Sequence, residues 1–328
     1  MPRIAYYAHH QGHGHLHRAT AVSRATPDGL DGYSTHDRPT GWHGSWSRLA
    51  DDSGGPADPR RTAGGSLHHA PLGHPGYDAR MRRLAASLTE TNPGALVADV
   101  SVEVALLARL LGVPVVTVAL PGTRVDPPHR LGYAVSDVVV GPWPEAAADL
   151  LEADDAGPRP VAVGAISRFP VTDGLVPVDE RCVLVLAGSG GTDVTDERVE
   201  RAASATASWD WTSLSPRHWV EDPWPLLQGA GVVVSHCGQN AVAEIAAARR
   251  PAVLVPQERP FGEQRQMARV LRELGMPAVV LDAWPEPDRW DRLLKEAAEL
   301  DAAGWASWND GRGAERFAAL LAPYGSTP

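Results

Sequence analysis

The chain has 328 residues, of which 43% are hydrophobic, and it carries a net charge of −10 at neutral pH. This length suggests about two domains with sizeable cores, and the negative charge argues against a nucleic-acid partner. Only two cysteines occur, Cys182 and Cys237, which favours a reducing, cytoplasmic compartment. The sequence contains neither a signal-peptide pattern nor an apolar run long enough to cross a membrane, so no transmembrane segment is expected.

Strand-like apolar runs alternate with helical patterns in the first half of the chain, which is typical of βαβ units and a parallel sheet. A glycine-rich turn follows the first predicted strand. The predicted strands are residues 4–8, 96–98, 113–120 and 138–140, and the predicted helices are residues 15–25 and 102–111.

A second series of the same kind begins near residue 161, after a segment rich in proline and glycine. Its predicted strands are residues 182–187, 231–235, 252–255 and 278–281, and its predicted helices are residues 241–248 and 267–274. Each half therefore opens with a strand that runs into a glycine-rich turn. We predict an α/β protein with two Rossmann-like domains, residues 1–162 and 163–311, followed by a last helix within 312–328.

Residues 38–76 break this pattern, because they are rich in Gly, Pro, Asp and His and contain few aliphatic residues. Loops of this length are either functional or mobile. A surface insert and an acceptor-binding lid are both open interpretations. Several aromatic and histidine residues are candidates for contact with an acceptor, and each is equally compatible with a surface or core position. They are Trp42, Trp46, His68, His69 and Trp143.

One motif in the second half has the features of an anion site. The segment 235–244 reads SHCGQNAVAE, follows a predicted strand and opens a predicted helix. Gly238 permits a tight turn, and the N–H groups and dipole of the helix start favour a bound anion. His236 stands beside that point. Glu244 lies one helical turn after Asn240, and its carboxylate can accept two hydrogen bonds from a ribose diol.

A second motif follows the first strand, where residues 12–18 read GHGHLHR. Open α/β sheets bind ligands at the carboxyl ends of their strands, and Gly14 leaves room there. Because an imidazole titrates near neutral pH, His15 is a candidate base for a hydroxyl proton. A structural role for His15 and metal binding by the neighbouring histidines are alternatives, although no carboxylate or cysteine completes a metal set.

Two further features bear on these motifs. Asp99 follows a predicted strand and either orients His15 or caps the helix that begins near residue 101, and capping is the favoured interpretation. The glycine turn of the second half, which includes Gly188, Ser189 and Gly190, lies in the position equivalent to residues 12–14. We expect this turn to contact a diphosphate.

The C-terminal motif resembles a known family. His236-Cys237-Gly238-x-Asn240, then Glu244 and later Glu263-Gln264, is similar to the donor signature of UDP-dependent glycosyltransferases. Residues 242–248 resemble the peptidoglycan-type UDP-N-acetylglucosamine transferase. Most plant members have Trp at the position of Gln239 and Asp-Gln at the position of Glu263-Gln264.

The resemblance implies a GT-B fold, in which the last helix packs on the first domain, and it implies roles for the motif residues. His236 and the N–H groups after Gly238 hold the diphosphate, Glu244 holds the ribose, and Glu263 with Gln264 contacts the donor sugar. Trp219 and Val220 line the base.

The function expected from these motifs is inverting, metal-independent transfer of a sugar, without a cofactor, from UDP to a hydroxyl-bearing small-molecule or lipid-linked acceptor. Residues 12–18 also resemble a UDP-sugar hydrolase of pseudaminic acid synthesis, in which His15 would activate water. A third interpretation is a non-catalytic nucleotide-sugar-binding protein.

Overall fold

The structure is a computed structural model that describes residues 3–9, 12–53, 58–151, 156–172, 176–188, 193–215, 218 and 220–325. Two parallel sheets organise the chain, one of seven strands and one of five. Among the described residues, none of the helices combines the length and the apolar character needed to cross a bilayer.

The N-terminal sheet has the strand order β3-β2-β1-β4-β5-β6-β7, and all its neighbouring strands are parallel. Its strands are β1 Ile4–Ala8, β2 Asp31–Ser34, β3 Trp46–Arg48, β4 Ala95–Asp99, β5 Val115–Val118, β6 Val138–Gly141 and β7 Val161–Ala162. The strand order reverses between β1 and β4, so a crevice opens beyond their carboxyl ends.

Helices cover both faces of this sheet and bury its apolar side chains. They are α1 Gly14–Ala25, α2 Pro75–Thr91, α3 Val102–Leu110, α4 Pro127–Ala134 and α5 Ala148–Leu151, with short 3-10 turns at Ala63–Gly65 and Glu145–Ala147. Helix α1 starts directly after the turn that follows β1. Its N-terminus therefore lies at the carboxyl edge of the sheet.

The C-terminal sheet has the order β12-β11-β10-β8-β9 and is also parallel. Its strands are β8 Asp179–Leu186, β9 Asp210–Leu214, β10 Ala230–Ser235, β11 Ala252–Leu254 and β12 Ala278–Val280. Its helices are α6 Asp196–Ser204, α7 Trp224–Gly229, α8 Gln239–Ala248, α9 Glu263–Glu273 and α10 Trp290–Ala298, with 3-10 turns at Pro260–Gly262, Pro287–Arg289 and Ala302–Ser307.

The last helix, α11 Gly313–Gly325, returns to the first domain and packs against α1 and the first sheet. Phe317 is fully buried there, with its ring 6.4 Å from that of Tyr6. The chain therefore passes between the two domains twice. The two crossings contain glycines at positive φ, Gly164 at 87° and Gly311 at 82°.

The predicted α/β architecture is confirmed, but ten elements were missed, namely strands β2, β3, β7 and β9 and helices α2, α4, α5, α6, α7 and α10. Strands β2 and β3 contain few aliphatic residues, and α2 is largely polar. A search for apolar runs therefore passes over them. The segment 38–76 is not a plain loop, because β3 extends the edge of the first sheet and a 3-10 turn follows it.

Replacing Phe317 with Ala should destabilise the protein by about 3–5 kcal/mol, because the change leaves a cavity between α11 and the first sheet. Urea unfolding measures this loss. Leu110→Ala is the control, since Leu110 is 75% exposed and its truncation should cost less than about 0.5 kcal/mol. Equal stabilities for the two variants would contradict the docking of α11.

Candidate active site

A cavity of about 790 Å³ lies between the two domains, at the carboxyl ends of both sheets. The predicted site residues that line it are Gly14, His15, Gly188, Val220, His236, Gly238, Gln239, Asn240, Glu244, Glu263 and Gln264. Three other predicted residues, Ser189, Gly190 and Trp219, lie outside the residues that the structure describes.

The two glycine-rich motifs approach each other closely across this cavity. A Cβ at position 14 would lie 1.9 Å from the side-chain nitrogen Nδ2 of Asn240. Glycine at this position therefore allows the start of α1 to approach the start of α8. The N-terminus of each helix therefore faces the same space.

His15 is hydrogen-bonded to Asp99, with 2.9 Å between Nδ1 and Oδ1. His15 lies in the first turn of α1, and Asp99 ends β4, which pairs with β1. Asp99 is fully buried. Burial opposes its ionisation, but the charge of Arg18, together with His15, outweighs burial and holds the pKa of Asp99 well below its ordinary value.

The favoured interpretation of Asp99 as a helix cap is wrong. Ser101 occupies the N-cap position of α3, and its side-chain oxygen accepts a hydrogen bond from Val104 N. The carboxylate of Asp99 is directed to His15 instead. Orientation of His15, the alternative given above, is what the geometry shows.

Arg18, the last residue of the 12–18 motif, completes this cluster, and no role was predicted for it from the sequence. Its Nε and Nη2 donate to Asp99 over 3.0 and 2.6 Å, and its Nη1 donates to Gln239 Oε1 over 3.0 Å. Gln239 also donates to the carbonyl of Pro142 over 3.2 Å. The sequence signal for a contact between Arg18 and His15 was their His-x-x-Arg spacing, since residues three apart are neighbours on a helix.

Helix α8 presents its N-terminus to the cavity, with Gly238 as its N-cap. The first N–H groups of a helix have no acceptor within it, so they are available to an anion. His236 Nδ1 accepts a hydrogen bond from Gly238 N at 2.9 Å, which leaves the ring proton on Nε2. Burial and Arg259 lower the pKa of His236 to about 4, so the ring is a neutral donor at pH 7.

The ribose candidate Glu244 forms an ion pair that the sequence did not indicate. Arg168, from the segment joining the domains, donates Nε to Oε1 at 2.8 Å and Nη2 to Oε2 at 3.3 Å. Burial raises the pKa of Glu244, and Arg168 opposes that shift. The carboxylate keeps two further lone-pair directions for other donors.

The two donor-sugar candidates lie at the start of α9. Glu263 accepts from Arg124 of the first domain over 3.3 Å, and burial raises its pKa. Gln264 is buried and accepts from Gln257 N at 2.9 Å through its Oε1. The amide nitrogen of Gln264 is the part of that group left to face a ligand.

A hydrogen-bonded chain links the insert to Glu263. His68 bonds Asp126 at 2.8 Å, Asp126 bonds His129, and Arg124 donates to His129 Nε2 at 2.8 Å. Because Arg124 is close enough to donate to Glu263 as well, residue 68 is connected to the second domain.

Three of these side chains are close enough to bind one metal ion together. Among the described residues, the potential ligand atoms of His68, Asp126 and His129 lie within 4.8 Å of one another. Arginine only donates hydrogen bonds, so His129 Nε2 accepts from Arg124 and the ring proton lies on Nδ1, toward Asp126. A cation at Nδ1 would displace that proton beside the Arg124 charge. The arrangement is that of a hydrogen-bond network rather than a ligand set.

Two of the proposed acceptor contacts are core residues. Trp143 is fully buried, and Trp42 packs under β1 and β2 with its Nε1 donating to Ser45 O at 2.8 Å. The interpretation of these two as acceptor contacts is wrong, because their rings are occupied by core packing. Trp46 lies edge to face against Trp42.

The comparisons with known proteins concern the second domain and the fold. Residues 220–301 match the family described as Glycosyltransferase family 28 C-terminal domain. Among curated proteins, none matches the chain by sequence.

Several solved structures share the whole fold. The glycotransferase of kitacinnamycin has a TM-score of 0.71 and 18% identity, over 99% of this chain and 100% of that one. LpCGTa in complex with UDP has a TM-score of 0.65 and 16% identity, over 100% of both chains. Acinetobacter baumannii MurG has a TM-score of 0.65 and 16% identity, over 98% of this chain and 100% of that one.

At these identities the structural similarity concerns the fold, which is the GT-B fold expected from the sequence. The matched C-terminal domain adds the class. The chain therefore has the two-domain GT-B fold, and residues 220–301 of its second domain match a glycosyltransferase domain.

Three histidines make stability depend on pH. Burial lowers the pKa of His17, His129 and His236 to about 4 each, below the value near 6.5 of an unfolded chain. Unfolding therefore takes up protons between these values, so stability should fall as the pH drops from about 6.5 toward 4. Urea unfolding between pH 7 and 5 measures this slope.

The variant His129→Gln should have a shallower slope than the wild type, because it removes one of the three groups. A free energy of unfolding that stays constant between pH 7 and 5 in the wild type would contradict the neutral, buried state of these rings.

Proposed function

We propose that this protein transfers a sugar from a nucleoside diphosphate, UDP, to a hydroxyl group of an acceptor, with inversion at the anomeric carbon. The observation that carries the proposal is that His15, hydrogen-bonded to the buried Asp99, and the N-terminus of α8 line one cavity from opposite domains. The 3.0 Å bond between Arg18 and Gln239 joins the two sides.

The proposed step is a single displacement. His15 donates Nδ1–H to Asp99, so its Nε2 accepts the proton of the acceptor hydroxyl. The acceptor oxygen forms a bond to the anomeric carbon while the bond from that carbon to the diphosphate oxygen breaks. The electron pair leaves with the diphosphate, and attack from the opposite face inverts the centre.

The leaving diphosphate gains negative charge, and the start of α8 is suited to stabilise it. The N–H groups of its first turn and the helix dipole point to the cavity, and His236 adds a neutral Nε2–H. These groups supply the stabilisation that a metal ion supplies elsewhere, so we propose a metal-independent reaction.

Glu244 supports a ribonucleotide donor, which UDP is, over a deoxyribonucleotide. Arg168 occupies two acceptor positions of this carboxylate, and the remaining two suit the two hydroxyls of a ribose. A deoxyribose offers one hydroxyl fewer in this position. Val220 lines the same cavity and is proposed to contact the base.

The donor sugar is proposed to lie against Glu263 and Gln264. The acceptor is proposed to be a hydroxyl-bearing small molecule or lipid-linked molecule that enters from the side of His15. The two free cysteines, Cys182 and Cys237, support a cytoplasmic protein.

The decisive assay is release of UDP from a panel of UDP-sugars by the full chain, with and without a library of hydroxyl acceptors. The proposal predicts release that depends on an acceptor and continues in excess EDTA. Equal release without an acceptor would show a hydrolase. Tight UDP binding without turnover under any condition would show a binding protein.

Replacing His15 with Ala should lower turnover by about 10²–10⁴-fold, because the general base is lost. The dissociation constant for UDP, measured by calorimetry, should change less than about threefold. His43→Ala is the control, since His43 is exposed and outside the cavity, and it should retain activity. Retained turnover in His15→Ala would remove the proposed base.

Replacing Gly188 with Ala should weaken UDP binding by about tenfold or more, which corresponds to about 1.4 kcal/mol. The new Cβ would lie 2.6 Å from His236 Nε2, in a backbone with φ of +77°, and would displace the proposed diphosphate donor. The matched control is Gly275→Ala, which has φ of +62° but no atom within 4 Å of the new Cβ. Equal UDP affinity in both variants would place the diphosphate elsewhere.

A further inference from the structure

Arg18 is a buried cation whose role is not assigned by the proposed reaction. Its side chain is 2% exposed, although it lines the cavity between the domains. It lies one helical turn after His15 on α1, with its Nη2 3.0 Å from His15 Nδ1. A charge in this position must act on the histidine, because little water separates the two groups.

The carboxylate of Asp99 is surrounded by four donors. Oδ1 receives Arg18 Nη2 at 2.6 Å and His15 Nδ1 at 2.9 Å. Oδ2 receives Arg18 Nε at 3.0 Å and Tyr6 OH at 2.9 Å. A carboxylate has about four lone-pair positions, so all of them are filled when the proton of His15 is on Nδ1.

We propose that Arg18 is a positioning residue that balances the charge of Asp99 and thereby keeps His15 unprotonated, with Nε2 free as a base. This inference rests on the proposed function, in which His15 accepts the acceptor proton. Without Arg18, the buried carboxylate would be balanced by a proton shared with His15. The imidazole would then enter the reaction already protonated.

The charges around His15 support this role. The groups that face it are Asp99 from β4, Arg18 from its own helix, His9 after β1 with its ring 5.9 Å away, and Glu263 from α9. The two carboxylates favour a protonated imidazole. Arg18, which is always positively charged, opposes the two carboxylates by disfavouring a second positive charge on the imidazole.

Arg18 also connects the base to the donor side. Its Nη1 donates to Gln239, the first residue of α8, where the diphosphate is proposed to bind. Asp99 uses Nε and Nη2, so the planar guanidinium fixes the direction of Nη1. The orientation of His15 and the position of the α8 N-terminus are therefore set by one rigid group.

The test is nitrogen-15 NMR of histidine-labelled full-length protein, with the His15 signal assigned from His15→Gln. The wild type should show the Nδ1–H tautomer. In Arg18→Met, the protonation midpoint of His15 should rise by about 1–3 pH units, because the carboxylate is no longer balanced. A wild-type proton on Nε2, or an unchanged midpoint in folded Arg18→Met, would overturn the proposal.

The matched control is Arg80→Met. Arg80 is also buried and forms two 2.6 Å bonds to a buried carboxylate, Asp52, outside the cavity. This variant loses a comparable ion pair and should leave the His15 midpoint unchanged. A shift as large as that in Arg18→Met would show a general effect of destabilisation and overturn the proposal.

Two variants cover the case in which Arg18→Met does not fold. Arg18→Lys keeps the charge and should keep the midpoint within about half a pH unit of wild type. Asp99→Asn leaves Arg18 unbalanced, and the midpoint should fall by about 1–3 pH units. An Asp99→Asn midpoint at or above the wild-type value would overturn the proposal.

These measurements need neither nucleotide nor turnover, so they are separate from the proposed function. An active enzyme with an unshifted midpoint would refute the role of Arg18 alone. A shifted midpoint in a protein that releases no UDP would refute the transferase and retain the charge balance.

Discussion

The burial of Asp99 is the constraint on which the N-terminal half of the site depends. A carboxylate removed from water needs several donors, and this one receives them from β1 and α1. The pairing of β1 with β4 brings Ala8 opposite Asp99, so the turn after β1 begins beside the charge. Helix α1 then has to start where His15 and Arg18 can both reach it.

The second domain satisfies a complementary requirement. Its α8 presents N–H groups at the cavity, and the approach of α1 places two helix N-termini near one point. Two like dipole ends repel each other, and an anion between them relieves this repulsion. The arrangement therefore favours an anionic ligand in the cleft, although the whole chain has a net charge of −10.

The sequence predicted the α/β architecture and the cavity-facing motifs because apolar runs and glycine turns are local signals. It did not predict the partners that come from distant segments. Arg168 meets Glu244, and Arg124 meets Glu263, through contacts that only the folded chain creates. The role of Asp99 was misjudged for a similar reason, since a residue near a helix start resembles a cap until Ser101 is seen in that position.

The double passage of the chain between domains limits how the cleft can open. The backbone N–H of Ala165 donates to Trp308 O at 3.3 Å, so the two segments that connect the domains lie side by side. Two adjacent connecting segments allow the domains to bend about an axis through both segments, and they resist rotation or sliding of one domain against the other. Gly164 and Gly311, both at positive φ, lie in these crossings, which are the few loop positions where bending between the domains is concentrated.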